Sequence, residues 1–224
     1  MSTGNPDWAD QAEQRLLDAA IPLAPVAGWN AGLALRAGAA AGLSAGETGL
    51  LLPGGARDLA ALLSRRHDRN AMEFLERVDP ASLKIRERIQ AAVEARLDAA
   101  AVHAEVSRRS AAFLALPLNV PLGLRLAWES ADRLWRWAGD TATDENHYSK
   151  RAILAGILIS TLAVRLTAGR EPAQAMLTAR IENVMAFEKW KATRAPVTLG
   201  RDLAGTLSRW RYGGAKPVEP ANPQ

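Results

Sequence analysis

Asp144, Glu145 and His147, followed at once by Tyr148, lie close enough together in the 224-residue sequence to suggest a metal site. Carboxylates beside an imidazole can hold a divalent metal. On one helix, though, positions i, i+1 and i+3 do not converge. A di-iron bundle needs two Glu-x-x-His motifs with further glutamates, and the sequence contains no Glu-x-x-His at all. Acidic residues at this point suit the first turn of a helix. His67 and His103 have no partner at metal-ligand or triad spacing, and Gly54-Gly55 reads as a turn rather than a phosphate loop. There is no cysteine, which removes thiolate chemistry and disulfides and fits a reducing compartment. The sequence therefore nominates no catalytic residue, no metal ligand and no cofactor, and an enzyme is not expected.

The chemistry left is apolar. Seven tryptophans are present, three of them at 128, 135 and 137. With Leu118, Leu122 and Leu126, Trp128 is a candidate lining for an apolar lipid site. As simple core, the same tryptophans would fill a helical bundle, and spacing alone does not choose between the two. A second apolar element is the segment 197–212, where Leu199, Leu203, Leu207 and Trp210 share one helical face, flanked by Arg209 and Arg211. That is the profile of a helix lying in an anionic membrane surface. The same stripe could dock on its own bundle or on a second protomer.

These groups must be carried by helices. Hydrophobic residues make up 48% of the chain, enough to bury a core, with alanine and leucine dominant and no sustained alternation. The spacing predicts helices over about 7–20, with Pro22 and Pro25 disturbing any continuation, and then over 30–41, 45–51, 57–78, 82–116, 121–138, 144–167, 171–193 and 197–212. The glycine- and proline-rich 213–224 is expected to be disordered. The longest apolar run, Ile153 to Val164, is shorter than the ~20 residues of a spanning helix. Met1 to Asp10 is acidic and polar, unlike a secretory or transit leader. The expectation is a bacterial protein of the cytoplasm, peripheral at the inner face of the membrane; richness in arginine and alanine adds a weak compositional hint of a GC-rich genome.

Residues 28–53 have the layout of a helix-turn-helix: a second helix with Leu35-Arg36-Ala37, a turn at Gly42-Leu43-Ser44 and a short third helix. The third helix offers Glu47, Thr48, Gly49, Leu50 and Leu51 where DNA reading needs Arg, Lys, Asn or Gln. Residues 1–63 hold six acidic against three basic groups, a net −3, so the rest of the +4 chain carries +7. The module is expected to serve packing or dimer stability, without nucleic acid. The alternative is a TetR-class regulator or sensor of an apolar ligand, its DNA binding weak or lost.

Leu116-Pro117-Leu118-Asn119-Val120-Pro121, Leu134-Trp135, Ala138-Gly139-Asp140-Thr141-Ala142-Thr143-Asp144, Tyr148-Ser149-Lys150-Arg151-Ala152 and Arg180-Ile181-Glu182-Asn183-Val184-Met185 form a specific combination. This set resembles the lipid-binding accessory family of ubiquinone biosynthesis, closely over about 115–190. The resemblance implies an all-α, TetR-like fold of nine or ten helices, usually a homodimer. Its parts would be a degenerate helix-turn-helix module (1–55), a helical lipid-binding and dimerisation domain (56–195), an amphipathic membrane-contact helix (196–212) and a tail (213–224). It further implies an isoprenoid lipid partner, or a bound phospholipid, and docking to the demethoxyubiquinone hydroxylase or a related quinone-pathway enzyme. The docking positions are Leu134, Trp135, Asp144, His147, Tyr148 and Arg151. The family usually carries an aromatic after the aspartate and a tryptophan before the tyrosine. Glu145 and His147 stand there instead, so two aromatic hot-spot types are replaced by polar groups.

Overall fold

The computed structural model describes residues 8–140 and 145–194; the docking position Asp144, the membrane-contact positions Leu199, Leu203, Leu207, Arg209, Trp210 and Arg211, and the expected tail lie outside them. The chain divides into two units, one reaching Ile181 and one beginning at Glu182. Among the described residues the fold is all-helical, as expected. Nine α-helices run α1 Trp8–Ala27, α2 Ala31–Ala40, α3 Ala45–Leu51, α4 Ala56–Leu75, α5 Ile85–Ala101, α6 Ala104–Leu114, α7 Val120–Trp137, α8 Glu145–Thr167 and α9 Arg170–Arg194, with a 3₁₀ turn at Pro80–Ser82. None of them is long and apolar enough to cross a membrane. Of the second unit, the described residues 182–194 are helical.

Helices α1 to α3 form the helix-turn-helix module, in the TetR-like layout. Asn30 caps α2 by accepting from the Leu33 amide at 3.1 Å. Ser44 and Glu47 make a reciprocal capping box at the start of α3, with the Ser44 amide donating to Glu47 Oε2 at 2.8 Å. The bonds from Ser44 hold the Glu47 carboxyl below its usual range. The turn between the two helices needs Gly42, whose φ is +77°. Where α2 crosses α3, a Cβ on Gly38 would lie 2.0 Å from Thr48 Oγ1. Trp29 locks this module onto α4 through a 2.9 Å bond from its indole N–H to the Ala56 carbonyl. The outer surface of α3 presents Leu50, 83% exposed, and α3 contains no lysine or arginine.

Two helices differ from the sequence expectation. First, α1 continues through Pro22 and Pro25 to Ala27. Pro22 lies on the exposed face, and the carbonyl it leaves unbonded belongs to Asp18, also exposed, so water can satisfy it. Burial of Ala20 and Ala24 on the opposite face keeps the helix in place. Second, the single helix expected over 82–116 is broken at Val102-His103, with His103 at φ −121°, ψ 61°. The Ser107 hydroxyl donates to the Ala100 carbonyl at 2.7 Å, taking one of the acceptors stranded at the end of α5. The chain turns there without glycine or proline, and α6 packs against α1, α4 and α8.

Helix α4 is the axis of this unit. One face, through Leu59 and Leu63, joins the core of α1 and α2; another, through Ala61, packs on Leu122 and Leu126 of α7. Helices α5 and α7 pack on it and on each other, and α8 packs on α5, α6 and α7.

Candidate functional site: an apolar cavity with a polar end

A cavity of about 360 Å³ opens between α5, α6, α7 and α8. Its size falls within the ~300–1,000 Å³ of small-molecule sites. Helix α7 supplies the longest wall, with Val120, Gly123, Leu124, Leu126 and Ala127, and α8 faces it with Leu158, Ile159, Leu162 and Ala163. Short side chains make the space: Ala111 and Ala115 on one side, and Gly123, whose missing Cβ would touch Leu114 at 3.4 Å, on the other. Val120, Leu124 and Ile159 line the cavity and are also solvent-exposed, so they form its mouth. The exposed Leu116 and Leu118 lie on the chain just before α7.

Three lining residues are polar: Ser64, Arg96 and Ser130. They belong to one buried cluster. Asp68, itself 3% exposed, accepts from Arg96 Nε at 2.5 Å, from the Ser130 hydroxyl at 2.6 Å and from Arg133 Nη1 at 2.6 Å. Nη2 of Arg96 donates to Ser64 Oγ at 3.2 Å. Beside the cluster, burial and the charge of Arg96 push His67 well below the ordinary imidazole range, so the ring is neutral.

The motif segment builds a different structure, a clasp between the end of α7 and the start of α8. Gly139, at φ +93°, turns the chain. The Asp140 carboxylate then receives Lys150 Nζ at 2.7 Å and Arg151 Nη1 at 3.0 Å. Arg151 also donates through Nε to Asp132 at 2.6 Å and through Nη1 to the His147 carbonyl at 3.2 Å. Trp135 donates its indole N–H to the Lys150 carbonyl at 3.0 Å, and the Lys150 ammonium lies 5.5 Å from the Trp135 ring. Burial alone would raise the Asp140 pKa, but the bonds from Lys150 and Arg151 outweigh it and hold the carboxyl below its ordinary 3.8. Asp132 is lowered in the same way, by Arg151 and Arg136 against burial.

The sequence-nominated residues divide accordingly. Of the four expected to line a lipid site, Leu126 lines the cavity. Leu122 is core between α4 and α7. Leu118 is 85% exposed. Trp128 stacks on Tyr148 with ring centroids 6.2 Å apart, and His147 meets Tyr148 edge-on at 5.2 Å. Correcting the lining therefore moves Trp128 to the aromatic surface group around Tyr148, because its position on α7 turns it away from the cavity. Among the docking positions, Tyr148 is 64% exposed and can touch a partner. Leu134 and Arg151, both 1% exposed, hold the patch from beneath. Sequence reasoning missed the Asp68–Arg96–Ser130 cluster. Its signal was charge on buried stripes: Arg96 follows Ile89 and Val93 at helical spacing, and Asp68 precedes Ala71 and Leu75. Among the described residues, no three His, Asp or Glu side chains are placed to hold a metal.

Residues 120–188, spanning α7, the clasp and most of α9, match the COQ9 family model. Over 168 residues, 70% of this chain, the sequence is 30% identical to the mitochondrial ubiquinone biosynthesis protein COQ9-B of Xenopus laevis, covering 56% of that protein. It is 29% identical over 163 residues to human mitochondrial COQ9, covering 51% of it, and 28% identical to the rat protein over the same length. The chain thus spans about half the length of the curated relatives it matches. The α7 and α8 walls of the cavity and the clasp lie in the matched segment, over which the chain carries a COQ9 domain like that of the ubiquinone biosynthesis proteins it resembles.

Proposed function

We propose that this protein is a non-enzymatic, lipid-binding accessory factor of ubiquinone biosynthesis, which takes an isoprenoid quinone precursor from the membrane and presents it to a membrane-associated hydroxylase. The observation that carries this reading is the open apolar cavity between α5, α6, α7 and α8. Its walls are helical, its mouth is bordered by exposed aliphatic side chains, and its lining matches a prenyl chain in polarity. The acidic, capped α3 supports a packing or dimer-stabilising role for the helix-turn-helix module rather than DNA reading. Tyr148, Trp128 and His147 offer an amphipathic aromatic surface of the kind that anchors a protein partner. Segment 197–212 would supply membrane contact at the inner face of a bacterial membrane, and a homodimer is the working assembly.

Mass spectrometry of lipids extracted from the gently purified full-length chain tests this. The expected result is a polyprenyl quinone or precursor at close to one per chain, lost in Ala127→Trp, which fills the cavity. Bulk phospholipid only, equal in both proteins, refutes it. A folded Ala127→Trp protein, shown by an unchanged helical circular dichroism spectrum, is the necessary companion.

A further inference from the structure

The polar end of the cavity has more donors than its own protein uses. Arg96 is 6% exposed and lines the cavity. Its Nε is committed to Asp68 and its Nη2 to Ser64. Among the described residues its Nη1 donates to no protein atom, and the residue borders the open space of the cavity. Charge leans the same way. One carboxylate, Asp68, answers two guanidiniums, the buried Arg96 at 2.5 Å and the more exposed Arg133 at 2.6 Å, so this end is net positive, with Arg96 as its buried cation. Wholly aliphatic ligands would leave that donor unpaired, which is costly in a buried site.

The direction of the cavity follows from α7. Val120 and Leu124 stand at the mouth and Ser130 at the polar end. Ten residues of helix separate Val120 from Ser130, about 15 Å at 1.5 Å per residue. The space is therefore polarised along its length, with a cationic donor inside and an aliphatic opening.

Resting on the reading of this cavity as a lipid site, we propose that it binds its ligand head-inward, with Nη1 of Arg96 donating to a carbonyl-type oxygen of the headgroup and the prenyl tail leaving past Val120, Leu124 and Ile159. Arg96 is then the specificity-determining residue for an oxygenated ring head. Ser64 and Ser130 fix its fork through Nη2 and through Asp68. Held this way, the ring is shielded from water during transfer, and delivery to an enzyme proceeds by withdrawal tail-first through the mouth.

Two probes of matched shape, 2-decyl-1,4-benzoquinone and decylbenzene, test the inference on the full chain by titration calorimetry. Arg96→Lys keeps a cation against Asp68 but removes the free arm of the fork. The expected outcome is a loss of quinone affinity at least about tenfold larger than the loss of decylbenzene affinity, the scale of one charge-assisted hydrogen bond. Equal losses for both probes overturn head recognition and leave the lipid site standing. Failure of the wild-type chain to bind either probe overturns the lipid site itself. A second readout avoids the variant altogether. Isotope-edited infrared spectra of the carbonyl-labelled quinone in the wild-type protein should show one carbonyl stretch lowered from its position in a hydrocarbon solvent, and a pair of unshifted stretches overturns the proposal.

Discussion

Replacing Arg151 by alanine removes the centre of the α7–α8 clasp. The side chain is 1% exposed and donates to two carboxylates, Asp132 and Asp140, and to the His147 carbonyl. Breaking a buried ion pair by deleting one member typically costs about 3–5 kcal/mol, because the remaining charge stays buried. Here the cost sits at the lower end, about 3 kcal/mol, since Lys150 still reaches Asp140 and Arg136 still reaches Asp132. For a chain of this size that is a fall in Tm of roughly 6–12 °C. Lys150→Ala removes a mostly buried pair and one cation–π contact, but Arg151 still reaches Asp140, so it should cost about 1 kcal/mol. Urea unfolding of the three proteins, followed by tryptophan fluorescence and circular dichroism, measures both values at matched m. If Arg151→Ala costs no more than Lys150→Ala, the clasp does not hold the α7–α8 junction and the assignment of the motif to structure fails.

The same carboxylates set an acid limit. Their folded pKa values lie below the unfolded ones, so their contribution is complete above pH about 4 and disappears as pH falls through the folded values; the stability gap between wild type and Asp140→Asn should close over that window in acid-titrated urea melts. His67 acts at higher pH. Its folded pKa is well below 6.5, so the unfolded chain binds the extra proton, and stability should fall by up to about 1.4 kcal/mol per pH unit below pH 6.5; His67→Phe should flatten that slope, and an unchanged slope assigns it elsewhere. Gly38→Ala drives a methyl into Thr48 and should cost about 1–3 kcal/mol, only part of it recovered in Gly38→Ala with Thr48→Ala, which removes Oγ1 and Cγ2 but keeps the Thr48 Cβ 2.9 Å away; no recovery in thermal melts would place the strain elsewhere than at this crossing.

Much of the fold was legible because its punctuation is chemical. Asn30, Gly42, Ser44 and Gly139 mark helix ends through capping or positive φ, and α3 was read to the residue. The break at Val102-His103 was not legible, since it depends on Ser107 reaching back to Ala100, a contact between residues of no distinctive local propensity. The continuation of α1 past Pro22 was misread because exposure of Asp18, whose carbonyl Pro22 leaves unbonded, is a tertiary property. At the site, the motif segment announced itself, but its meaning changed. Arg151 and Leu134 read as docking residues and proved to be buried supports, while Trp128 belongs with Tyr148. The cavity could not be read from sequence, because it is made by what α6 brings back to α7 and α8 after a break that no residue type signals. Arg96 and Asp68 were visible only as charges on apolar stripes, a pattern that also describes an inert buried ion pair.

Photo-crosslinking maps the lipid site most directly. A prenyl benzoquinone carrying a diazirine in its first isoprene unit, incorporated in vesicles, would be offered to the full-length chain and the labelled peptides sequenced. Labelling concentrated in α7 between Leu124 and Ser130 and in α8 between Leu158 and Ala163, competed away by unlabelled quinone and lost in Ala127→Trp, is the predicted result. Labelling spread over the surface, or unaffected by competitor and by Ala127→Trp, would contradict the cavity as the lipid site.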